Sequence, residues 1–94
     1  MQPMSVILST HARARMQQRG ISSERVERLL AFGCEVHGGH GGTIVYFDHA
    51  ARRRARLARA MSRGELDRLS GMYVVLAGGV VATVGHRYRR VRRR

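Results

Sequence analysis

The sequence has very little cysteine and proline and no long apolar run. A single cysteine, Cys34, cannot form an internal disulfide, which disfavours a disulfide-stapled secreted domain and favours a cytoplasmic protein. No apolar segment approaches the ~20 residues that a membrane helix needs. The first residues lack the charged start and apolar stretch of a signal peptide. We therefore expect a cytoplasmic protein that does not bind membranes.

Lysine is absent, so all 18 basic residues are arginine, against 6 acidic ones, and the formal net charge is +12. The hydrophobic content of 44% is too high for an intrinsically disordered chain. A chain of 94 residues without a Pro/Ser-rich linker has room for one hydrophobic core. These features predict a single basic domain over residues 1–88, followed by an arginine-rich tail over residues 89–94.

The acidic residues all lie in the middle of the chain, between Glu24 and Asp67, and both ends are purely basic. Arginine suits phosphate because its planar guanidinium group donates two parallel hydrogen bonds. A field of this sign also concentrates nucleic acid, or any acidic partner, before specific contacts form. Composition therefore favours a polyanionic partner without identifying it.

The first third of the chain predicts a strand and two helices. Residues 4–9 are typical of a short strand, and a helix that Ser9 or Thr10 caps runs on to Gly20. Ser22 is a suitable cap for a second helix, with Ile21 and Val26 placed to pack against each other. The apolar face of that helix has the i, i+3, i+4, i+7 spacing of a buried surface: Val26, Leu29, Leu30 and Gly33.

The rest of the chain predicts two strand-containing segments around a helical region. Residues 37–42 are glycine-rich and indicate a loop or the start of a hairpin, and residues 42–48 indicate a strand. Asp48 caps a helix over residues 49–61, for which we expect Ala50, Leu57 and Met61 in the core. Ser62 and Glu65 have the spacing of a capping box, and Gly78–Gly79 separates two β-rich runs, as in a hairpin.

These elements predict an α+β fold in the order β-α-α-β-α-α-β-β, with a small, mainly antiparallel sheet and helices packed on one face. In the last strand the two-residue period puts one set of side chains on the core side: Val80, Ala82, Val84, His86 and Tyr88. Arg87 and Arg89 take the opposite side. His86 and Tyr88 would then extend the core row to the end of the sheet, beside a helix.

The segment HARARMQQRGIS, followed by VERLLAFG, resembles a bacterial family, the domain-of-unknown-function family 4258. The resemblance covers residues 5–34 well, and the closing hairpin agrees in general layout. The family is in turn similar in layout to the small RelE/ParE/BrnT-type toxins and other compact ribonuclease folds. The resemblance implies a RelE-like fold and a toxin that acts on RNA, with an acidic antitoxin-like protein as its partner.

Activity of that type implies RNA cleavage without a metal or another cofactor. The reaction needs a base for the 2′-OH proton, an acid for the leaving oxygen and cations on the phosphate. His11 and His86 are the candidate acid and base, because histidine titrates near neutrality, and Tyr88 would orient the substrate or donate a proton. Arg15, Arg19 and Arg87 would hold phosphate.

The same residues also have structural interpretations. His11 suits capping or packing at a helix start, Arg15 and Arg19 suit ion pairs with Glu24 and Glu27, and His86 and Tyr88 suit the edge of a core. Cys34, His37, His40 and His49 have zinc-binding side chains, but their spacing and the intervening glycines favour a mobile loop over a metal site.

A third set of residues supports a non-catalytic nucleic-acid-binding module instead. On a continuous helix, Arg52, Arg56, Arg59 and Arg63 would share one face, and an acidic partner would relieve their mutual repulsion. The terminal arginines, Arg89 among them, would add phosphate contacts. The few aromatic residues disfavour recognition of single strands by base stacking. A basic scaffold for an acidic protein is the remaining interpretation.

Overall fold

The sequence folds into four helices and a four-stranded antiparallel sheet in a computed structural model that describes residues 7–38 and 42–86. The strands lie in the order β1-β2-β3-β4, each antiparallel to its neighbour. This arrangement confirms the predicted α+β fold with its mainly antiparallel sheet. The elements in chain order are α1 (Thr10–Arg19), α2 (Ser23–Phe32), β1 (Cys34–His37), β2 (Thr43–Tyr46), α3 (His49–Leu57), α4 (Arg63–Ser70), β3 (Met72–Ala77) and β4 (Val80–His86).

Each helix begins at a polar side chain that satisfies a free backbone N–H of the first turn, and the sequence predicts all four of these caps. The four N-cap residues are Ser9, Ser22, Asp48 and Ser62. Gly20 ends α1 in the left-handed conformation, with φ of 66°, which glycine adopts without steric cost. Local cap chemistry therefore sets the helix starts, and these predictions are confirmed.

In the described part of the predicted opening strand, residues 7–9, Leu8 forms a parallel bridge with Val81 of β4. The amide of Ser9 donates to the carbonyl of Val81 at 3.0 Å, and the amide of Val81 donates to the carbonyl of Ile7 at 2.9 Å. Residues 4–6 lie outside the described residues. The chain therefore enters α1 while running alongside β4.

Strand β1, which the sequence analysis does not identify, forms a hairpin with β2 across the glycine-rich segment. Its register pairs Cys34 with Tyr46 and His37 with Thr43. The alternation of Cys34 and Val36 with Glu35 and His37 carries a weak period-2 signal. Four residues are too few to make that signal specific.

The β3–β4 hairpin turns at Gly78 and Gly79, whose φ values of 58° and 79° match a tight two-residue turn. Its ladder contains a bulge: Val75 pairs with Thr83 and Leu76 pairs with Val81, so the bulge lies at Ala82.

The bulge overturns the predicted regular alternation of β4. Three residues of β4 are buried, Val81, Val84 and Gly85, whereas Val80 and Ala82 are only half-buried. Beyond the bulge His86 pairs with Met72, a core residue, and keeps its predicted place on the core side.

One face of the sheet carries the core, and all four helices contribute to it. Val45, Val74 and Val84 are paired across three strands and are at most 1% exposed. The core face of α3 differs from the prediction, because Ala51 and Ala55 are fully buried while Leu57 is 69% exposed.

Ala50 is also exposed, and of the three residues predicted inside only Met61 packs against the core. Helix α3 therefore packs against α2 and α4 with the small side chains of Ala51 and Ala55.

Candidate nucleic-acid interface

The outward surface of α3 follows from the way this helix is anchored. Asp48 caps its start, with a carboxylate oxygen that accepts from the amide of Ala51 at 2.7 Å. Because Ala51 and Ala55 point into the core, the opposite side of the helix faces solvent. His49, Arg53 and Arg56, at positions i, i+4 and i+7, lie exposed on that side. Together with Arg52 we call them the α3 arginine face.

The α3 arginine face lines a shallow surface depression of about 270 Å³, part of which is open to solvent. Its lining residues are His49, Arg52, Arg53 and Arg56. Three arginines and a histidine of one helix therefore border one small recess. Such a set of donors suits an anion with several oxygen atoms, and phosphate is the common biological example.

Arg52 differs from its neighbours because α4 holds it in place. Its guanidinium group forms an ion pair with Asp67 and donates to the hydroxyl of Ser70 at 2.9 Å. Ser70 in turn donates to the carbonyl of Leu66 at 2.7 Å. Arg52 is therefore fixed and largely neutralised, and it forms one wall of the depression.

Arg53 and Arg56 carry the uncompensated charge of this surface. Within the described residues, no acidic side chain forms an ion pair with either of them. They lie three positions apart on a helix, close enough for like charges to repel by a few tenths of a kcal/mol. A bound anion would remove that repulsion, so the site is electrostatically prepared for one.

The predicted stripe of Arg52, Arg56, Arg59 and Arg63 on one helix face is wrong, because α3 ends at Leu57. The amide of Ala60 donates to the carbonyl of Ala55, and the amide of Arg59 donates to the carbonyl of Arg56. Arg59 has φ of 52°, the left-handed position of a Schellman C-terminus. Arg59 and Arg63 therefore belong to a turn and to the start of α4.

Helix α1 packs against β4, as the sequence analysis predicts for the opening helix and the closing hairpin. The Ser9 hydroxyl accepts from the amide of Ala12 at 3.0 Å and donates to the carbonyl of Ala82 at 2.9 Å. Ala12 and Met16 face the core. The N-terminus of α1 is therefore fixed at the level of the β4 bulge.

The candidate catalytic residues are distributed along this α1–β4 interface. His11 is exposed in the first turn of α1, and His86 is half-buried at the end of β4. His86 lies four residues beyond Ala82, about 13 Å along an extended strand. The two histidines therefore enter the interface at different levels.

Arg15 follows His11 by one helical turn on α1. Arg15 is half-buried, and its Nε atom is buried without a hydrogen-bond partner among the described residues. A buried donor of this kind normally has an acceptor. Arg19, at the end of the same helix, is exposed.

Several predicted site residues lie outside the described residues: Arg87, Tyr88, Arg89 and the rest of the tail, and His40 of the zinc-type set. Within the described part, no group of three or more His, Cys, Asp or Glu side chains is placed to hold a metal. His37 instead lies 3.3 Å from the hydroxyl of Thr43, measured from its Nδ1 atom. The same part contains no helix long and apolar enough to span a bilayer.

The sequence analysis missed Arg53 and assigned His49 only to the zinc alternative. The phase of α3 explains both omissions. With Leu57 taken as a core residue, Arg53 falls on the inner half of the helix. The signal that identifies it is the Ala51–Ala55 pair, whose i, i+4 spacing marks the buried side.

A family described as Domain of unknown function (DUF4258) matches residues 8–69, which extends beyond the segment 5–34 that carries the resemblance and includes α1 to α4 up to Leu69. No curated protein and no solved structure shows significant similarity to the chain. The similarity to RelE-type toxins stays a prediction.

Proposed function

The chain belongs to the DUF4258 family, and we propose that this member binds RNA through the α3 arginine face. One observation carries the proposal: Arg53 and Arg56 line a depression and have no acidic partner in the described residues. The family description assigns no activity, so the proposal depends on this surface and on the charge of the whole chain.

Phosphate contacts provide most of the affinity of non-specific nucleic-acid binding. Each phosphate that a basic side chain neutralises releases counterions, so the affinity falls as salt rises. With a net charge of +12, the protein attracts a polyanion over a long range. The α3 arginine face then supplies guanidinium donors at short range, and two of them, Arg53 and Arg56, have no acidic partner in the described residues. This supports a binding surface and not merely a solubilising charge.

Neutralising Arg53 and Arg56 together tests the proposal. The double variant Arg53→Gln/Arg56→Gln removes two phosphate contacts, so we expect its RNA affinity to fall by about tenfold or more at low salt. The slope of log K against log salt should also decrease by about 1.4, since each contact with a single strand contributes about 0.7. Fluorescence anisotropy titrations of a single-stranded RNA at several salt concentrations measure both quantities.

The matched control is Arg13→Gln/Arg54→Gln, which removes two charges from exposed arginines that do not line the depression. An equal loss of affinity in this control would show that only the net charge matters, and the assignment to α3 would fail. If single-stranded or duplex DNA of the same sequence binds more tightly than RNA, then DNA and not RNA is the ligand. Absence of salt-dependent binding to any of these would leave an acidic protein as the partner.

A second candidate function is metal-independent cleavage of RNA, for which the supporting observation is that His11 and His86 lie on two elements that pack together, α1 and β4. In this reaction one imidazole removes the 2′-OH proton, the 2′ oxygen attacks phosphorus, and the 5′ oxygen leaves with a proton from the other imidazole. The products are a 2′,3′-cyclic phosphate and a 5′-hydroxyl end. Arg15, one helical turn after His11 on α1, would hold the phosphate.

Incubation of RNA with the protein in EDTA tests this candidate. We expect cleavage by the unmutated protein and a loss of about 100-fold or more in His11→Ala and in His86→Ala, because each removes a proton-transfer group. Binding should remain nearly unchanged, since the α3 arginine face is intact. Gel analysis of end-labelled RNA measures the rate, and intact RNA with the unmutated protein would eliminate the candidate.

A further inference from the structure

The depression on α3 is too small for a whole nucleotide ligand and suits a single charged group. Of its volume of about 270 Å³, much of which is open to solvent, only about 80 Å³ can hold the centre of a water molecule, whereas sites that enclose a small molecule occupy about 300–1,000 Å³. Its lining side chains all come from one helix and are all cationic or imidazole. The recess therefore fits the end of a nucleic-acid strand better than an internal part of the strand.

The charge of the lining residues indicates which kind of phosphate group the depression would bind. Asp67 neutralises Arg52, while Arg53 and Arg56 lack an ion-pair partner in the described residues. The nearby carboxylate of Asp48 caps the helix by accepting from the amide of Ala51. Two positive charges therefore remain. A phosphomonoester carries a charge of about −1.5 to −2 at neutral pH, whereas an internal phosphodiester carries a single negative charge.

Steric factors agree with the charge. An internal phosphodiester has ester links on two sides, so its chain must enter and leave the recess. A terminal phosphate has one ester link and presents three oxygen atoms to the donors. Arg52 already has a fixed position, because Asp67 and Ser70 hold it, and a preordered donor lowers the entropic cost of binding.

We propose that the depression formed by His49, Arg52, Arg53 and Arg56 binds a terminal phosphate of RNA, that is, a phosphomonoester. The inference rests on the proposed RNA binding and specifies which part of the RNA this surface recognises. The 5′ and 3′ ends share the chemistry, and the experiment distinguishes them.

The test uses three RNA oligonucleotides of one sequence, with an internal fluorophore and a 5′-phosphate, a 3′-phosphate or two hydroxyl ends. We expect one phosphorylated oligonucleotide to bind about tenfold more tightly than the hydroxyl-ended one, because it adds charge-assisted hydrogen bonds. The preference should disappear in Arg53→Gln. It should persist in Arg54→Gln, which removes an equal charge from the neighbouring residue outside the depression.

Equal affinities for the three oligonucleotides would overturn the inference and leave the RNA-binding proposal standing. A preference that survives in Arg53→Gln would also overturn it. Titration with adenosine 5′-monophosphate gives a readout independent of RNA binding. We expect it to shift the NMR signals of the Arg53 and Arg56 Nε–Hε groups, whereas adenosine does not, and unshifted signals would count against the site even if RNA binds.

Discussion

Glu65 shows how one buried carboxylate organises several arginines. Its side chain is 10% exposed and accepts from Arg28 Nη1 at 2.9 Å and from Arg25 Nε at 3.4 Å, both on α2. Arg68 of its own helix lies 3.8 Å away. The Glu65 amide donates to the hydroxyl of Ser62, the N-cap of α4, so the carboxylate that binds α4 to α2 stands in the capped first turn of α4.

Replacing Glu65 with glutamine keeps its size and removes its charge. The arginine side chains that bind it are 28% and 44% exposed, so solvent partly compensates for the loss. We therefore expect Glu65→Gln to lower the free energy of unfolding by about 1–2 kcal/mol, less than for a fully buried ion pair. Urea denaturation measures the change.

Glu24→Gln is the matched control, because Glu24 is 78% exposed and its pair with Arg28 is 3.9 Å long. An exposed pair of this kind contributes about 0–0.5 kcal/mol. If the two variants lose equal stability, the Glu65 cluster does not hold the helices together in the way that the contacts indicate.

At the scale of elements, two glycines near helix ends differ in the space around them: Gly33 has no room for a Cβ atom, and Gly64 has. A Cβ atom on Gly33, at the end of α2, would lie 2.6 Å from the Leu29 carbonyl oxygen and 2.9 Å from a methyl group of Val45. A Cβ atom on Gly64, inside α4, would meet only the Ser62 hydroxyl at 4.0 Å. Gly33 is therefore required by close packing between α2 and β2, and Gly64 is not.

We expect Gly33→Ala to destabilise the protein by about 1–3 kcal/mol, because the backbone must shift. Gly64→Ala should stabilise it by about 0.5–1 kcal/mol, since alanine has the higher helix propensity. Thermal or urea unfolding of the two variants measures both changes. A gain of stability in Gly33→Ala would show that the junction of α2 with the sheet is looser than the contacts indicate.

Features that depend on nearby residues could be predicted from the sequence, and features that depend on tertiary packing could not. Ser22, Asp48 and Ser62 cap helices because their side chains reach a backbone amide three residues on, which depends on nearby residues alone. The end of α3 could not be predicted, because Arg59 takes a left-handed conformation that normally indicates glycine or asparagine.

The phase of α3 and the β4 bulge depend on neighbouring elements. Large apolar residues dominate a periodicity argument, so Leu57 appeared to be a core residue. The helix instead buries Ala51 and Ala55 and leaves Leu57 exposed. The bulge at Ala82 is a shift of register between β3 and β4. It cannot be predicted from the alternation of residues in one strand, because it depends on how the two strands pair. The correct arginine face of α3 therefore required the fold.

For the whole molecule, the ion pairs decide which charges remain for a ligand. On α4, Asp67 binds Arg52 of α3, and Glu65 binds Arg25 and Arg28 of α2. These acids are used between helices: in the described residues they neutralise Arg52 of the α3 arginine face and leave Arg53 and Arg56 without an ion pair. The sequence predicted a basic protein whose first helix lies along the last hairpin, but not which arginines stay unpaired.

The short bridge ahead of α1 also protects the sheet from self-association. A strand at the border of a sheet exposes unpaired amides and carbonyls that another chain can extend. Residues Ile7 to Ser9 occupy those groups around Val81, so this border of β4 is partly sealed. The opposite border, β1, has four residues and displays Glu35 and His37 to solvent. Few unpaired backbone groups around Val81, and only a short strand at β1, are therefore available for pairing with a strand of another molecule.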